Sequence, residues 1–125
     1  MRLLLDTNVL IRMLEEPAKL SEHVQSLLDD LDNQIVVTTV SLVEIAIKVG
    51  TGKLVMPADI LARLDRLGCE ILEVGSAHAM RLAMLPVLHR DPFDRLIVAQ
   101  ALVEDLVLVT SDRQLSAYAA VTIPA

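Results

Sequence analysis

Residues 91–112 read DPFDRLIVAQALVEDLVLVTSD, and this stretch decides the fold class. Asp91 is a residue type that caps helices, and Pro92 suits the first helical turn, where its missing N–H has no partner to lose. A helix is therefore predicted over Pro92–Asp105. It runs directly into Leu106–Thr110, a short apolar run of strand type, and then into Ser111 and Asp112. A helix feeding a short, fully apolar strand is the repeating unit of a parallel sheet covered by helices.

The same alternation extends outward in both directions. Leu3–Leu5 reads as a first strand and Val9–Leu14 as a short helix. Ser21 is placed to cap a helix over Glu22–Leu31, with Val24, Leu27, Leu28 and Leu31 on one face. Ile35–Thr39 is a second strand, followed by a helix over Leu42–Val49 that Gly50 and Gly52 stop. Pro57 opens a helix ending at Gly68; Glu70–Val74 is a third strand; Ser76–Leu85 is a helix halted by Pro86. After the fourth strand come a helix over Ser111–Ala119 and a terminal strand, Val121–Ile123. The expected architecture is a three-layer α/β/α domain with a central, mostly parallel sheet of four to five strands.

A chain of 125 residues fits one domain, taken here as residues 1–125. Such a chain buries roughly two-thirds of its unfolded surface, enough for a core without staples. Its single cysteine, Cys69, excludes an internal disulfide. Apolar residues make up 54% of the chain, yet no run approaches the ~18 apolar residues of a membrane span. The start, MRLLLDTN, meets an aspartate too early for a signal peptide. A cytoplasmic protein without membrane association is expected, with some surplus apolar surface covering a partner.

Four acids fall near predicted helix starts: Asp6 after the first strand, Glu44 three residues past Ser41, Asp94 three past Asp91, and Asp112 beside Ser111. Each has a plain structural use. Ser41–Glu44 matches a capping box, and Glu44 is spaced to pair with Lys48 at i,i+4. Asp94 and Asp112 favour helix dipoles, and Asp6 is placed to cap the helix after it.

Jointly they have a further reading. Strand-to-helix junctions of a parallel sheet share one edge, where α/β proteins place ligands. Carboxylates converging there repel one another unless a cation neutralises them. Hard oxygen ligands without paired Cys or His select Mg²⁺ or Mn²⁺, ions suited to phosphodiester hydrolysis. Asp6, Glu44, Asp94 and Asp112 are the candidate catalytic and metal-binding residues. Thr7, Asn8 and Ser111 are polar neighbours placed for water or phosphate, and Arg95 and Arg113 adjoin proposed ligands.

These residues resemble the PIN-domain ribonucleases, most closely the VapC-type toxins of bacterial toxin–antitoxin pairs. The resemblance runs through LLLDTNVLI at 3–11, SLVEIAIKVGTGKL at 41–54, HRDPFDRLIVAQA at 89–101 and LVTSD at 108–112. It implies that the four acids form the family's metal site. It further implies Mg²⁺- or Mn²⁺-dependent endonuclease action on RNA, a homodimer, and a small antitoxin covering the site. The chain departs from its relatives at Val43, where tryptophan is frequent, and over Gln114–Ser116, which offers none of the extra carboxylate some members carry.

The formal charge of −6, from 11 Lys+Arg against 17 Asp+Glu, runs against a nucleic-acid partner. Arg2, Arg12, Lys48, Arg90, Arg95 and Arg113 nevertheless cluster near the four motifs, so a locally basic rim is compatible with that total. With aromatics at 2%, recognition is expected to rest on RNA shape and backbone. His23, His78 and His89 share no ligand spacing; Cys69 reads as an inert thiol; Met80 and Met84 read as core or dimer surface.

A phosphorelay receiver needs a late lysine, and the last here is Lys53; an aspartyl phosphatase needs an acid at position 8, where Asn8 stands. The remaining alternative is a non-catalytic PIN-like binding module, whose mark would be loss of an acid.

Overall fold

The computed structural model describes residues 1–88, 91–118 and 120–125. Among them five strands form one sheet in the order β3-β2-β1-β4-β5, with every pairing parallel. The strands are β1 (Arg2–Leu5), β2 (Gln34–Thr38), β3 (Glu70–Leu72), β4 (Val107–Thr110) and β5 (Thr122–Pro124). The helices are α1 (Thr7–Glu15), α2 (Glu22–Asp29), α3 (Thr39–Gly50), α4 (Ile60–Arg66), α5 (Ser76–Arg81) and α6 (Pro92–Glu104). The expected α/β/α class and parallel sheet are therefore present.

Two apolar cores, one on each face of the sheet, explain the layers. Side chains alternate across a strand, and Leu3 and Leu5 of β1 join Val37 of β2 and Val109 of β4 in one core with α1, α2 and α4 residues. Leu4, Val36 and Leu108 join Ile97, Val98 and Leu115 in the other. Helix α3 contributes to both, through Ile45 on the first side and Val40 on the second. Residues Ile97–Ala101 of α6 are buried without interruption, as for a helix enclosed on several sides.

Several boundaries move, each for a physical reason. Thr38 caps α3 by accepting from Val40 N at 3.0 Å, so the helix starts before Ser41. Ser41 is thus a buried helical residue, and the expected capping box with Glu44 does not form. Helix α2 ends at Asp29, leaving Leu31, expected on its apolar face, 99% exposed. Helix α4 begins at Ile60, well after Pro57, and the third strand stops at Leu72. The segment after α5 tightens into a 3₁₀ turn, Leu82–Met84. The predicted helix over Ser111–Ala119 is a 3₁₀ turn, Arg113–Ala117, capped by Asp112; Ala119 lies outside the described residues.

The order of strands fixes where a ligand fits. From β1 the chain moves outward through β2 and β3, then crosses back to β4 on the other side of β1. The topological switch point, where adjacent connections diverge and leave a crevice, therefore lies at the carboxyl end of β1. The residue there is Asp6.

Leu4 is fully buried at the centre of the second core. Leu4→Ala is expected to destabilise the domain by about 2–5 kcal/mol in urea titrations, the range for a large cavity left in a well-packed core.

Candidate metal centre at the carboxyl edge of the sheet

Asp6 is 4% exposed, an unusual position for a carboxylate. Its Oδ1 accepts from Val9 N at 2.8 Å, capping α1, and its Oδ2 accepts from the Thr110 hydroxyl at the end of β4. Register accounts for the second contact: Leu5 pairs with Val109, and Asp6 N donates to Val109 O at 3.0 Å, which brings Thr110 alongside. Thr110 Oγ1 also accepts from Asp112 N at 3.0 Å. One hydroxyl thus ties two of the four acids together.

Burial pushes the Asp6 carboxyl above its ordinary value of 3.8. Hydrogen bonds from Thr110 and from the backbone N–H groups of Val9 and Ser111 pull it partly back, while the negative charge of Asp112 adds to the rise. Asp6 has no ion-pair partner among the described residues. The arrangement is a buried carboxylate facing a second one, the electrostatic situation that a bound cation relieves.

Glu44 approaches from α3 through Thr7, whose hydroxyl lies 3.2 Å from Glu44 Oε1 and 2.9 Å from Ser41 Oγ. Glu44 Oε2 accepts from Lys48 Nζ at 3.0 Å, the expected i,i+4 pair. Asp94 stands in the first turn of α6, behind Asp91, which caps the helix by accepting from Phe93 N at 2.9 Å. Among the described residues no three acids, histidines or cysteines are gathered tightly enough to hold a metal as they stand. Asp6 and Asp112 form the close pair, and Glu44 is linked to the residue after Asp6 through the Thr7 hydroxyl. The donor set is all carboxylate and hydroxyl oxygen, which fits Mg²⁺ or Mn²⁺.

The neighbouring residues divide. Ser111, Asp112, Arg113 and Ser116 line a cleft of about 390 Å³ beside Thr110, with Ser111 and Arg113 exposed. Asn8 is exposed and Thr7 buried. Arg95 goes elsewhere: its guanidinium reaches toward the carbonyls of Leu82 and Leu85, each at 3.5 Å, and its buried Nε has no hydrogen-bond partner among the described residues. His89 and Arg90 lie outside the described residues. His78 is buried, accepting from Gly75 N at 2.9 Å on Nδ1 and lying 2.8 Å from Glu104 Oε1 through Nε2, so it braces α5 on α6. Burial also raises the Cys69 thiol, in keeping with an inert cysteine. Met80 and Met84 are 70% and 73% exposed, surface rather than core. Sequence reading missed Thr110, because its place beside Asp6 follows from the β1–β4 register and from no local motif.

An acid whose folded pKa is raised weakens the fold as it ionises. The metal-free domain is expected to lose stability as pH rises from 3.8 through the raised value of Asp6. Asp6→Asn keeps a helix-capping side chain and removes the charge. In denaturation midpoints measured across pH in EDTA, its advantage over the parent should open across that window and then stay level. A parent more stable than Asp6→Asn at neutral pH would contradict the buried-charge account.

The fold has close parallels among solved structures. It is similar to VapBC2 from Rickettsia felis bound to a promoter DNA fragment, with TM-score 0.74, 19% identity and coverage of 99% of this chain and 98% of that one. The DNA-bound VapBC from Salmonella typhimurium gives 0.70 at 20% identity, covering 98% and 96%. VapBC-5 from Mycobacterium tuberculosis, a member of the VapBC family of toxin–antitoxin systems, gives 0.63 at 27% identity, covering 99% and 98%. No curated protein sequence matches the chain significantly. Residues 3–121 match the PIN domain, from the first strand to the residue before the last. With an acid at the end of the central strand and a fully parallel sheet around it, the chain belongs to the PIN domain family.

Proposed function

We propose that residues 1–125 form a single PIN unit acting as a metal-dependent endoribonuclease, the VapC-type toxin of a toxin–antitoxin pair, working in the cytoplasm. The observation that carries this reading is the buried Asp6 carboxylate, which faces the charge of Asp112 at the switch point of the sheet with no cationic side chain paired to it among the described residues.

Asp6 and Asp112 are the residues that would hold Mg²⁺ or Mn²⁺, with Glu44 and Asp94 completing the ligand set or orienting the attacking water. The bound ion supplies an activated water and neutralises charge developing on the phosphate. Thr110 keeps Asp6 oriented and Asp112 beside it. Lys48 and Thr7 hold the Glu44 carboxylate in place beside Asp6's helix. Arg113 and Ser111, exposed on the cleft next to Asp112, offer donors to a phosphate, and Asn8 offers another at the start of α1. Arg95, engaged with the Leu82–Leu85 segment, supports the packing under α6.

A protein partner follows from the surface. Val43, Ile47, Val49 and Leu61 are all at least 42% exposed, and an apolar groove of about 380 Å³ runs between α3 and α4, lined by Leu42, Ala46, Met56 and Leu61 among others. The similar VapBC-5 belongs to a family of toxin–antitoxin systems, and another similar structure is a toxin–antitoxin complex from Klebsiella pneumoniae; a small antitoxin is the partner proposed here, together with a second copy of the chain. Light scattering at micromolar concentration should give the mass of a homodimer; a monodisperse monomer removes the homodimer.

One observation favours a non-catalytic PIN-like module that binds RNA or protein, namely that the acids are not drawn together as they stand. Two measurements separate the readings. Saturating Mn²⁺ or Mg²⁺, at 100 times Kd, should stabilise the domain by about 2.7 kcal/mol, and Asp6→Asn should lose most of that gain. Partner-free protein should yield discrete cleavage products from transfer or ribosomal RNA with metal, none in EDTA, and none with Asp94→Asn. Metal binding without cleavage of any RNA would transfer the assignment to the binding module.

A further inference from the structure

Another cleft, about 310 Å³, opens beside Glu44, between the end of α3 and the start of α6. Its lining includes Glu44, Lys48, Thr51, Lys53, Asp91 and Phe93. The chain builds it with a tight reversal. Thr51 caps the end of α3, Gly52 takes φ +75°, a left-handed conformation that favours glycine, and Lys53 N and Leu54 N both return to Lys48 O, at 2.9 and 3.2 Å. That reversal sets Lys53 back beside the last turn of the helix.

The two lysines are not equivalent. Lys48 is paired with Glu44, whereas Lys53 is exposed and has no ion-pair partner among the described residues. Opposite them, Phe93 is the only phenylalanine of the chain. It packs against the buried core formed with α6 and is partly exposed at the cleft, so its ring is held in place rather than loose on the surface. The Asp91 carboxylate in the same lining accepts from Phe93 N and is committed to capping α6.

We infer that this cleft is a nucleotide subsite of the nuclease, in which Lys53 holds a backbone phosphate and the Phe93 ring stacks one unpaired base. The inference rests on the nuclease reading above and adds to it two residues outside the acidic cluster that would touch the substrate. A fixed aromatic face beside a free cation is the pairing used on unpaired strands, since every base has a stacking face and a duplex keeps its bases inside. Thr51, exposed in the same wall, adds a hydroxyl whose oxygen now faces its own helix, bonding to Ile47 O at 3.1 Å. Lys48, in the same lining, would add a second positive charge near the phosphate.

The test is binding of a short fluorescein-labelled oligoribonucleotide, single-stranded or duplex, to the full chain carrying Asp94→Asn, with Mg²⁺ present and salt varied. Adding Lys53→Ala should flatten the dependence of log affinity on log salt by roughly 0.7, one phosphate contact on a single strand. Adding Phe93→Leu, which keeps an apolar side chain against the core, should weaken single-strand binding by at least about fivefold, the lower end of one stacked base. It should leave the salt dependence and duplex binding unchanged. Lys19→Ala, on the remote Glu16 pair, serves as the control and should change nothing. If the wild-type chain cleaves RNA while both cleft variants bind like their parent, the subsite is overturned and the nuclease stands. If Phe93→Leu weakens single strand and duplex equally, the stacking role is overturned. If the wild-type chain neither binds nor cleaves any RNA, subsite and nuclease fall together.

Discussion

The carboxylate of Asp6 is the constraint around which this domain is arranged. Three consecutive leucines carry β1 through the middle of the sheet, fully buried on both faces, and the next residue must place a charged group where almost no water reaches. Leaving such a group without partners costs several kcal/mol. The chain meets that demand with a helix N-terminus on one oxygen and the Thr110 hydroxyl on the other. A single side chain therefore joins the strand it ends, the helix it starts and the neighbouring strand. Register is the decisive condition. With Leu5 opposite Val109, the next residue along β4 is a threonine; a slip of one residue would turn every side chain of the strand to the other face and leave the carboxylate among valines.

Much of this was legible in the sequence because it follows from period and residue type. The alternation of short apolar runs with longer amphipathic ones gave the layers, and the central strands sit where those runs predicted. The errors fall where two local solutions compete. Ser41–Glu44 is a sound capping box by pattern, but Thr38, at the end of β2, caps three residues earlier and the helix simply includes Ser41. The hydroxyl of Ser41, released from capping, lies instead against Thr7. Leu31 continues the apolar spacing of α2 on paper, yet Asp29, Asp30 and Asp32 surround it and the helix has ended. After β4, Asp112 caps only a 3₁₀ turn, since the chain must come back within a few residues to lay β5 beside β4.

The candidate site divides in the same way. The four acids announce themselves because each is a poor choice for its position unless it caps, pairs or binds. The residues that support them do not. Thr110 is one more β-branched residue at the end of a strand until the β1–β4 pairing puts it against Asp6. Arg95 shows the opposite error: it adjoins Asp94 in sequence, but successive helical residues point about 100° apart, and its side chain runs to the carbonyls of Leu82 and Leu85. Lys53 and Phe93, forty residues apart in numbering, become neighbours through the reversal at Gly52 and the packing of α3 on α6.

These contacts bear on how the proposed metal site would sit in this fold. In a zinc finger the ligands have nothing else to hold, and the chain unfolds when the ion leaves. Here the oxygens of Asp6 and Glu44 already have partners within the chain: a helix N–H, two hydroxyls and a lysine. In the function proposed above, the place for a cation would be beside Asp6, whose carboxyl is raised by burial and further by the charge of Asp112. At Glu44 a cation would meet Lys48, an internal counter-cation. Were a cation to take over Glu44, the Lys48 ammonium would be left with a positive charge to offer a phosphate, even in an acidic chain.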